Sequence, residues 1–286
     1  MLNQLKTVLL LSVLTAIMLG FGLLIGGTSG LSIAFVLVLF MNLITYFFSD
    51  KIVLFMYNAR EAPKTDYPKL HKIVEQVAHL AGIPKPRVYI IPTQTPNAFA
   101  TGRNPKNAVV ACTEGILSLL NEHELKGVIG HEIGHVINRD ILITTIAATV
   151  AAVISYVASM FRYMAIFGSS GRDRENNFGG MIGLLLLSIL APLIAVLLQL
   201  AISRTREFYA DETGARLVKD PNALASALQK LHAGIQQHPL KNASPAITAT
   251  SSLFIMNPFS AGFIVSLFST HPSTEERVKR LREMKV

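Results

Sequence analysis

Residues 131–140 read HEIGHVINRD, and residues 141–161, which follow directly, read ILITTIAATVAAVISYVASMF. On a helix, His131 and His135 lie one turn apart on the same face, so that both imidazoles can bind one metal ion. Glu132 lies beside that ion, where it can hold a water molecule and take its proton. This stretch therefore predicts a hydrolytic zinc site at the start of an apolar run that is long enough to cross a bilayer.

The overall composition also indicates a membrane protein. The chain has 286 residues, of which 51% are hydrophobic and 15% are charged, and its mean hydropathy is +0.44. A soluble domain usually carries about a quarter charged residues. The net charge of +8 is typical of Lys and Arg that flank membrane spans on the cytoplasmic side. Nucleic-acid binding is not expected, because no basic helix, aromatic stacking motif or Cys/His finger accompanies this charge.

Four apolar runs are long enough to span a membrane; they are Val8–Ile25, Leu31–Phe48, Ile141–Phe161 and Met181–Ile202. The first two are separated only by GGTSG and therefore predict a two-helix hairpin. Lys6 and Lys51 flank the outer ends of this hairpin, so the N-terminus and the segment after the hairpin are expected in the cytoplasm. The other two runs predict a second hairpin, which either crosses the bilayer or dips into one leaflet.

The segments outside the apolar runs have the patterns of an α+β domain. A helix is expected over residues 65–83, a strand at RVYII, and a pair of strands at NAFATG and AVVACTEGI with a reversal between them. The helix that carries HEIGH is expected to run straight into the third apolar run. Further helices are expected at TREFYADETGARLVKD, at residues 222–234 and at HPSTEERVKRLREM, where Ser273 and Glu276 are spaced as a capping box.

The chain is accordingly expected to divide into four parts. Two of them are membrane hairpins and the other two are halves of one soluble domain. The expected bounds are 1–55 for the first hairpin, 56–140 for the half that contains HEIGH, 141–202 for the second hairpin and 203–286 for the other half.

A catalytic zinc ion usually takes three protein ligands and keeps one open position. Glu207 and Asp211, in SRTREFYAD, are four residues apart and share a helix face. Glu207 could bind the zinc while Asp211 orients a ligand histidine from behind. The alternative is a solvated acidic face beside Arg204 and Arg206.

The order of the segments adds a geometric condition to this site. His135 and Glu207 must lie on the same side of the membrane if they share one ion. Two apolar runs separate them, and two crossings return the chain to the side on which it started, as does a hairpin that dips into one leaflet. The predicted spans and the predicted zinc site are therefore consistent with each other.

Taken together, these motifs resemble the HtpX family of bacterial membrane zinc metalloproteases, which are relatives of the CaaX prenyl endoproteases. The N-terminal hairpin, PNAFATG, AVVACTEG and HPSTEERV also match, so the resemblance covers nearly the whole chain. It implies a mainly α membrane protein with four transmembrane helices and a cytoplasmic α+β gluzincin-like zinc metalloprotease domain. It also implies a place in the bacterial inner membrane, with the active site facing the cytoplasm.

The resemblance assigns roles to the residues of the predicted site. His131, His135 and Glu207 would bind one Zn²⁺ per chain, and Glu132 would be the catalytic base and proton shuttle. Asp211 is similar to an acid that supports a ligand histidine from behind.

Two further assignments rest on the same resemblance. Asn97, Ala98, Phe99 and Ala100 resemble an edge strand that pairs with the substrate backbone, whereas an ordinary interior strand is the alternative. His271 resembles a histidine that faces the cleft, whereas a loop residue before the helix cap is the alternative.

The implied activity is hydrolysis of peptide bonds in misfolded or damaged membrane proteins, as part of a stress response. Its partners would be the lipid bilayer and membrane-protein or unfolded-protein substrates, and the resemblance also implies self-cleavage and cooperation with other membrane proteases. Two alternatives from other classes are a scaffold or chaperone that holds zinc structurally and a CaaX-type enzyme that processes prenylated peptides. A structural zinc site would not need Glu132, so this residue distinguishes the scaffold from the protease.

Overall fold

A computed structural model describes residues 2–167, 204–241, 244–259 and 272–286 of the chain. The predicted fourth span, Met181–Ile202, and His271 lie outside these residues. The helices, numbered over the described residues, are α1 (Leu2–Met56), α2 (Pro68–Leu80), α3 (Glu114–Leu119), α4 (Glu122–Ile137), α5 (Ile141–Phe167), α6 (Arg204–Val218), α7 (Pro221–Gln237), α8 (Pro245–Thr250) and α9 (Thr274–Glu283). The strands are β1 (Arg60–Glu61), β2 (Arg87–Ile91), β3 (Ala98–Thr101) and β4 (Val109–Thr113).

The strands form one mixed sheet in the order β1-β2-β4-β3. The predicted strands at RVYII, NAFATG and AVVACTEGI are confirmed as β2, β3 and β4, and β3 pairs antiparallel with β4 as expected. β2 pairs parallel with β4, with Arg87 opposite Val109. β3 is consequently an edge strand. The helices that the sequence predicts outside the sheet are confirmed as α2, α6, α7 and α9.

The N-terminal segment folds back on itself. Gly27 has φ 57° and ψ −142°, a conformation that residues other than glycine rarely adopt. The amide of Asn42 donates a hydrogen bond of 3.0 Å to the Thr15 hydroxyl, across the two halves of α1. Among the described residues, the part Gly26–Met56 is long and apolar enough to cross a membrane, whereas the apolar part of the first half is shorter. The described helices therefore contain one candidate span, or two if the bent pair of α4 and α5 is counted as one span, whereas four are predicted.

α4 does not run straight into α5, and that prediction is wrong. The two helices meet at 92°, because Arg139 adopts a left-handed conformation with φ 57° that ends α4. The turn is closed by the N–H of Asp140, which donates to the carbonyl of His135 at 3.0 Å. The first turns of α5 are consequently buried in the protein; for example, Ile143 and Ala148 are fully covered. The metal-site helix therefore lies across the direction of the apolar helix that follows it.

α4 is the central helix of the soluble part and is buried on nearly every side. Its start is fixed by a capping box between Asn121 and Glu124. The same Glu124 carboxylate accepts a hydrogen bond of 2.7 Å from Ser226 and one of 2.8 Å from Lys230, both on α7. One carboxylate thus caps the start of α4 and holds a second helix against it.

Glycine allows α4 and α6 to approach each other very closely. A Cβ atom at Gly134 would lie 2.9 Å from the carbonyl oxygen of Ala210, and one at Gly214 would lie 2.5 Å from the backbone nitrogen of His131. The absence of a side chain at Gly134 and Gly214 therefore permits this close backbone approach. This packing brings His131 and His135 on α4 within reach of Glu207 on α6.

We expect Gly214→Ala to push α4 and α6 apart. The added methyl group meets backbone atoms of α4, which cannot move aside as a side chain can, so the substitution should destabilise the protein by about 1–3 kcal/mol. It should also weaken zinc binding, because the predicted ligands lie on both helices and would move apart with them. Thermal unfolding and zinc titration of the purified protein measure the two effects. Gly20→Ala is the matched control, because nothing lies within 4 Å of a Cβ atom at Gly20; equal unfolding midpoints for both variants would contradict the prediction.

Candidate metal centre

Three potential ligands converge between α4 and α6. The Nε2 atoms of His131 and His135 are 3.2 Å apart. Oε2 of Glu207 lies 3.8 Å from Nε2 of His131, and its Oε1 lies 3.5 Å from Nε2 of His135. A tetrahedral zinc ion with bonds of 2.0–2.1 Å separates its ligand atoms by about 3.3 Å. Two imidazole nitrogens and a carboxylate at these separations therefore fit a zinc ion.

Asp211 orients His131 from behind. Its Oδ1 lies 2.8 Å from Nδ1 of His131, so that this nitrogen donates its proton to the carboxylate and Nε2 keeps its lone pair for a metal. Burial alone would raise the pKa of Asp211, but the charge and the hydrogen bonds of Arg277 hold this pKa below its usual value. Asp211 is consequently a charged carboxylate that accepts a hydrogen bond from the Nδ1–H group of His131.

Arg277 is a buried cation that the sequence analysis did not single out. Its guanidinium donates to both oxygens of Asp211, at 2.7 and 2.8 Å, and to the carbonyl of Ile255 at 2.8 Å. One of its nitrogens lies 3.8 Å from Oε2 of Glu207. The available signal in the sequence was a charged residue beside Val278 on the apolar face of the last helix, a position that places a side chain inside the fold.

Asp140 is the second residue that the sequence analysis missed. Its Oδ2 lies 3.5 Å from Nδ1 of His135, and its Oδ1 lies 3.8 Å from Nε of Arg206. The left-handed Arg139 turns the chain so that Asp140 faces back toward α4. Each of the two ligand histidines therefore has an aspartate on its Nδ1 side.

Glu132 lies in the same pocket and is 2% exposed. Burial is the main cause that raises its pKa to about 7; the negative charge of Glu207 also raises it, whereas His135, the backbone N–H of Ala100 and Arg277 lower it. Within the described residues, its Oε1 is buried without a hydrogen-bond partner. A carboxyl group with a pKa near neutrality can both accept and return a proton at cellular pH.

The two candidate ligand histidines, His131 and His135, differ in basicity when no metal is bound. Burial is the main cause that lowers the pKa of His131 to about 4. Burial also acts to lower the pKa of His135, but its hydrogen bond to Asp140 and the charges of Glu207 and Glu132 outweigh this and raise it to about 9. At neutral pH, the His131 imidazole is therefore neutral, whereas His135 is a positively charged imidazolium.

We expect zinc binding at pH 8 to release about one proton per ion from His135, because a metal ligand must be deprotonated and this imidazole is still protonated at this pH. The pKa of His135 is raised, so zinc affinity should increase with pH up to about pH 9 and then level off. Isothermal titration of the metal-free protein in two buffers with different ionisation enthalpies counts the protons. At pH 10 the count should be lower by about one, since His135 is then already deprotonated, whereas a proton lost by zinc-bound water would be counted at both pH values; an equal count at both pH values would contradict the assignment.

The strand β3 runs along one side of this centre. Asn97, Ala98, Phe99 and Ala100 are all buried, and Ala100 lines the metal pocket together with Phe254 and Ile255. The outward carbonyl of Ala98 accepts a hydrogen bond of 3.0 Å from the N–H of Ile255. The residues named for substrate binding thus lie on the sheet edge next to the ligands, and part of that edge is covered by residues 254–256.

The fold and this centre define a class of protein, namely metallohydrolases in which a helical HExxH pair and a carboxylate from a second helix surround one site. Residues 64–285 match the model of Peptidase family M48. The chain belongs to this family of zinc metalloproteases, and it is a membrane-associated metalloprotease.

Similar proteins agree with this assignment. The chain is 54% identical to a protease HtpX homolog of Pyrococcus abyssi, over 98% of this chain and 95% of the relative. It is 52% identical to a protease HtpX homolog of Persephonella marina, over 99% of this chain and 97% of the relative. The predicted resemblance to the HtpX family is therefore confirmed. Among solved structures, Ste24p of S. mikatae is similar with a TM-score of 0.48 and 20% identity, covering 98% of this chain and 65% of that chain.

Proposed function

We propose that the chain is a zinc endopeptidase that cleaves misfolded or damaged membrane proteins at the cytoplasmic face of the membrane, as part of a stress response. The observation that carries this proposal is the position of the metal centre. The ligand helix α4 ends in a turn of 92° into the apolar helix α5. A hydrolytic site at this position has water on one side and segments of membrane proteins on the other.

In this proposal, His131, His135 and Glu207 hold the zinc ion, which when bound polarises the scissile carbonyl and lowers the pKa of water. Glu132 takes the proton of the attacking water and returns it to the leaving amine, for which a pKa of about 7 is suitable. Asp211 keeps the proton on Nδ1 of His131. The buried position of these groups strengthens their electrostatic interactions, because the local dielectric is low.

The peptide would bind along the edge of β3 that lies next to the metal pocket and that residues 254–256 now partly cover. Ala98 and Ala100 point their backbone groups away from β4, so an extended peptide can pair along this side as an added strand. The N–H of Ala100 already bonds Glu132, so the pairing would use the other backbone groups. Such pairing uses backbone hydrogen bonds and therefore tolerates many side chains. The carbonyl of Ala98 now accepts a hydrogen bond from Ile255, which the peptide would replace. His271 is proposed to reach the same cleft.

The cytoplasmic placement of the site is supported by charge. Lys6 precedes the first apolar run, Val8–Ile25, and Lys51 follows the second, Leu31–Phe48. Basic residues at both outer ends of a hairpin favour the cytoplasmic side. The division into 1–55, 56–140, 141–202 and 203–286 belongs to the same proposal, as does self-cleavage.

Membrane vesicles of known orientation test this proposal. Casein, an unfolded protein, is added outside right-side-out and inside-out vesicles that contain the full chain. We expect cleavage only in the inside-out vesicles, where the cytoplasmic face is exposed to the added substrate. In a second arm, a single-span substrate with a destabilised cytoplasmic domain should be cleaved faster than the same substrate with a stable domain. Cleavage in right-side-out vesicles alone, or equal rates for both domains, would overturn the proposal.

A further inference from the structure

A second pocket lies away from the metal ligands, between the turn that joins β3 and β4, the loop before β2 and the bend between α4 and α5. We call it the basic pocket. Its volume is about 480 Å³. Arg103, Lys106 and Arg139 supply its polar wall, and Ile83 and Leu142 belong to its apolar wall.

The charge of the basic pocket is one-sided. No acidic residue lines it, and within the part of the chain that the structure describes, none of its three cations forms an ion pair with a carboxylate. Lys106 and Arg139 are exposed, whereas Arg103 is half-buried. Three cations that share one concave surface repel each other unless an anion lies between them. The pocket therefore fits an anionic ligand.

The position of Arg103 indicates where this anion comes from. Its guanidinium stacks over the ring of Phe47 on α1, at 5.4 Å. Phe47 lies on the exposed face of α1 near the end of the apolar run Leu31–Phe48, and in the next turn the Lys51 ammonium lies 5.1 Å from the ring of Phe48. Aromatic and basic side chains alternate in this way where a span meets the lipid headgroups. One side of the basic pocket is therefore at the level of the lipid phosphates.

We propose that the basic pocket binds the headgroup of an anionic phospholipid. Arg103, Lys106 and Arg139 would contact its phosphate. The acyl chains would leave the pocket along the exposed apolar face of α1 at Phe47, which an inorganic phosphate ion could not use. The proposal depends on α1 crossing the membrane and not on the peptidase chemistry.

The pocket also lies close to the metal centre. Ile141 lines both sites, and Arg139 directly precedes Asp140, whose carboxylate lies behind His135. A headgroup at Arg139 would therefore contact the turn that positions one predicted zinc ligand.

Lipid binding by the full chain in detergent tests the proposal. Phosphatidylglycerol and phosphatidylcholine are titrated into the delipidated protein, and bound lipid is counted by native mass spectrometry. The pocket variant carries Arg103→Gln, Lys106→Gln and Arg139→Asn, the last because Asn tolerates a left-handed backbone. Each cation near a membrane surface contributes about fivefold to the binding of anionic lipid, so we expect phosphatidylglycerol to bind about 100-fold more weakly to this variant.

A matched variant removes the same charge elsewhere on the surface. It carries Lys64→Gln, Lys72→Gln and Lys279→Gln, three exposed positions outside the pocket, and should bind phosphatidylglycerol within about threefold of the wild type. An equal loss in both variants, or equal binding of the two lipids by the wild type, would show a general effect of surface charge and overturn the proposal. Inorganic phosphate that displaces phosphatidylglycerol at equal concentration would identify a free-anion site and would also overturn it. Equal thermal unfolding of all three proteins excludes misfolding as the cause.

Discussion

Glu132→Gln is expected to keep its zinc and to lose most of its peptidase activity. The amide has the size of the carboxyl group but cannot take a proton from water, and loss of a general base typically lowers the rate by about 10²–10⁴-fold. The metal should stay, because His131, His135 and Glu207 are unchanged. Casein cleavage by the purified full chain, with zinc content measured on the same sample, gives both quantities.

The control for this experiment lies on the same helix. Glu122→Gln makes the identical change at an exposed position in the first turn of α4 and should leave activity and zinc content as in the wild type. A Glu132→Gln protein that cleaves casein at the wild-type rate would contradict the assignment of Glu132 as the general base. A protein that loses both zinc and activity would instead give Glu132 a role in holding the metal.

Arg277→Met should have the largest effect on stability. Arg277 is 2% exposed and forms two short hydrogen bonds to Asp211, so its removal leaves a buried carboxylate without its main partner. Breaking a buried ion pair in this way costs about 3–5 kcal/mol. The thermal unfolding midpoint measures this loss, and zinc affinity should fall with it, because Asp211 also orients His131. Arg277→Lys should restore little, since an ammonium cannot bond both carboxylate oxygens in the same geometry.

Two further variants separate this effect from a general loss of charge. Lys279→Met, at an exposed position of the same helix, should leave the unfolding midpoint nearly unchanged. The double variant Asp211→Asn/Arg277→Met should be destabilised by less than the sum of the two single variants, because neither buried charge is then left without its partner. Simple additivity would mean that the ion pair contributes nothing specific to the fold.

Local sequence patterns were sufficient to predict most elements and the cluster of potential ligands. His131 and His135, like Glu207 and Asp211, are four residues apart, and this spacing alone puts each pair on one helix face. The strands around Phe99 and Val110 follow from their β-branched and aromatic residues and from the turn between them. These are properties of short segments, so they can be recognised without knowing what packs against them.

The features that could not be predicted depend on contacts between distant segments. No Gly or Pro near Arg139 indicates a bend in the sequence. The left-handed conformation of Arg139 is rare for a residue other than glycine and is imposed by the surrounding packing. The role of Asp140 follows from that bend. Arg277 lies in a helix of mostly charged residues, and its partner Asp211 is on another helix far away in sequence. The parallel pairing of β2 with β4 likewise leaves no mark in either strand alone.

The glycine contact between α4 and α6 affects how much of the zinc-binding free energy is needed to bring the two helices together. The chain leaves α4 at Ile137 and returns only at Arg204, and closing an excursion of this length costs roughly 4 kcal/mol of chain entropy. In this protein, the close packing of the α4 and α6 backbones can offset this entropy loss before a zinc ion binds. Zinc then enters a loop that is already closed, and its full binding energy remains for holding the ion. The metal should therefore exchange like a ligand of a folded protein, whereas a zinc ion that clamps two ends of a disordered loop leaves only when the loop opens.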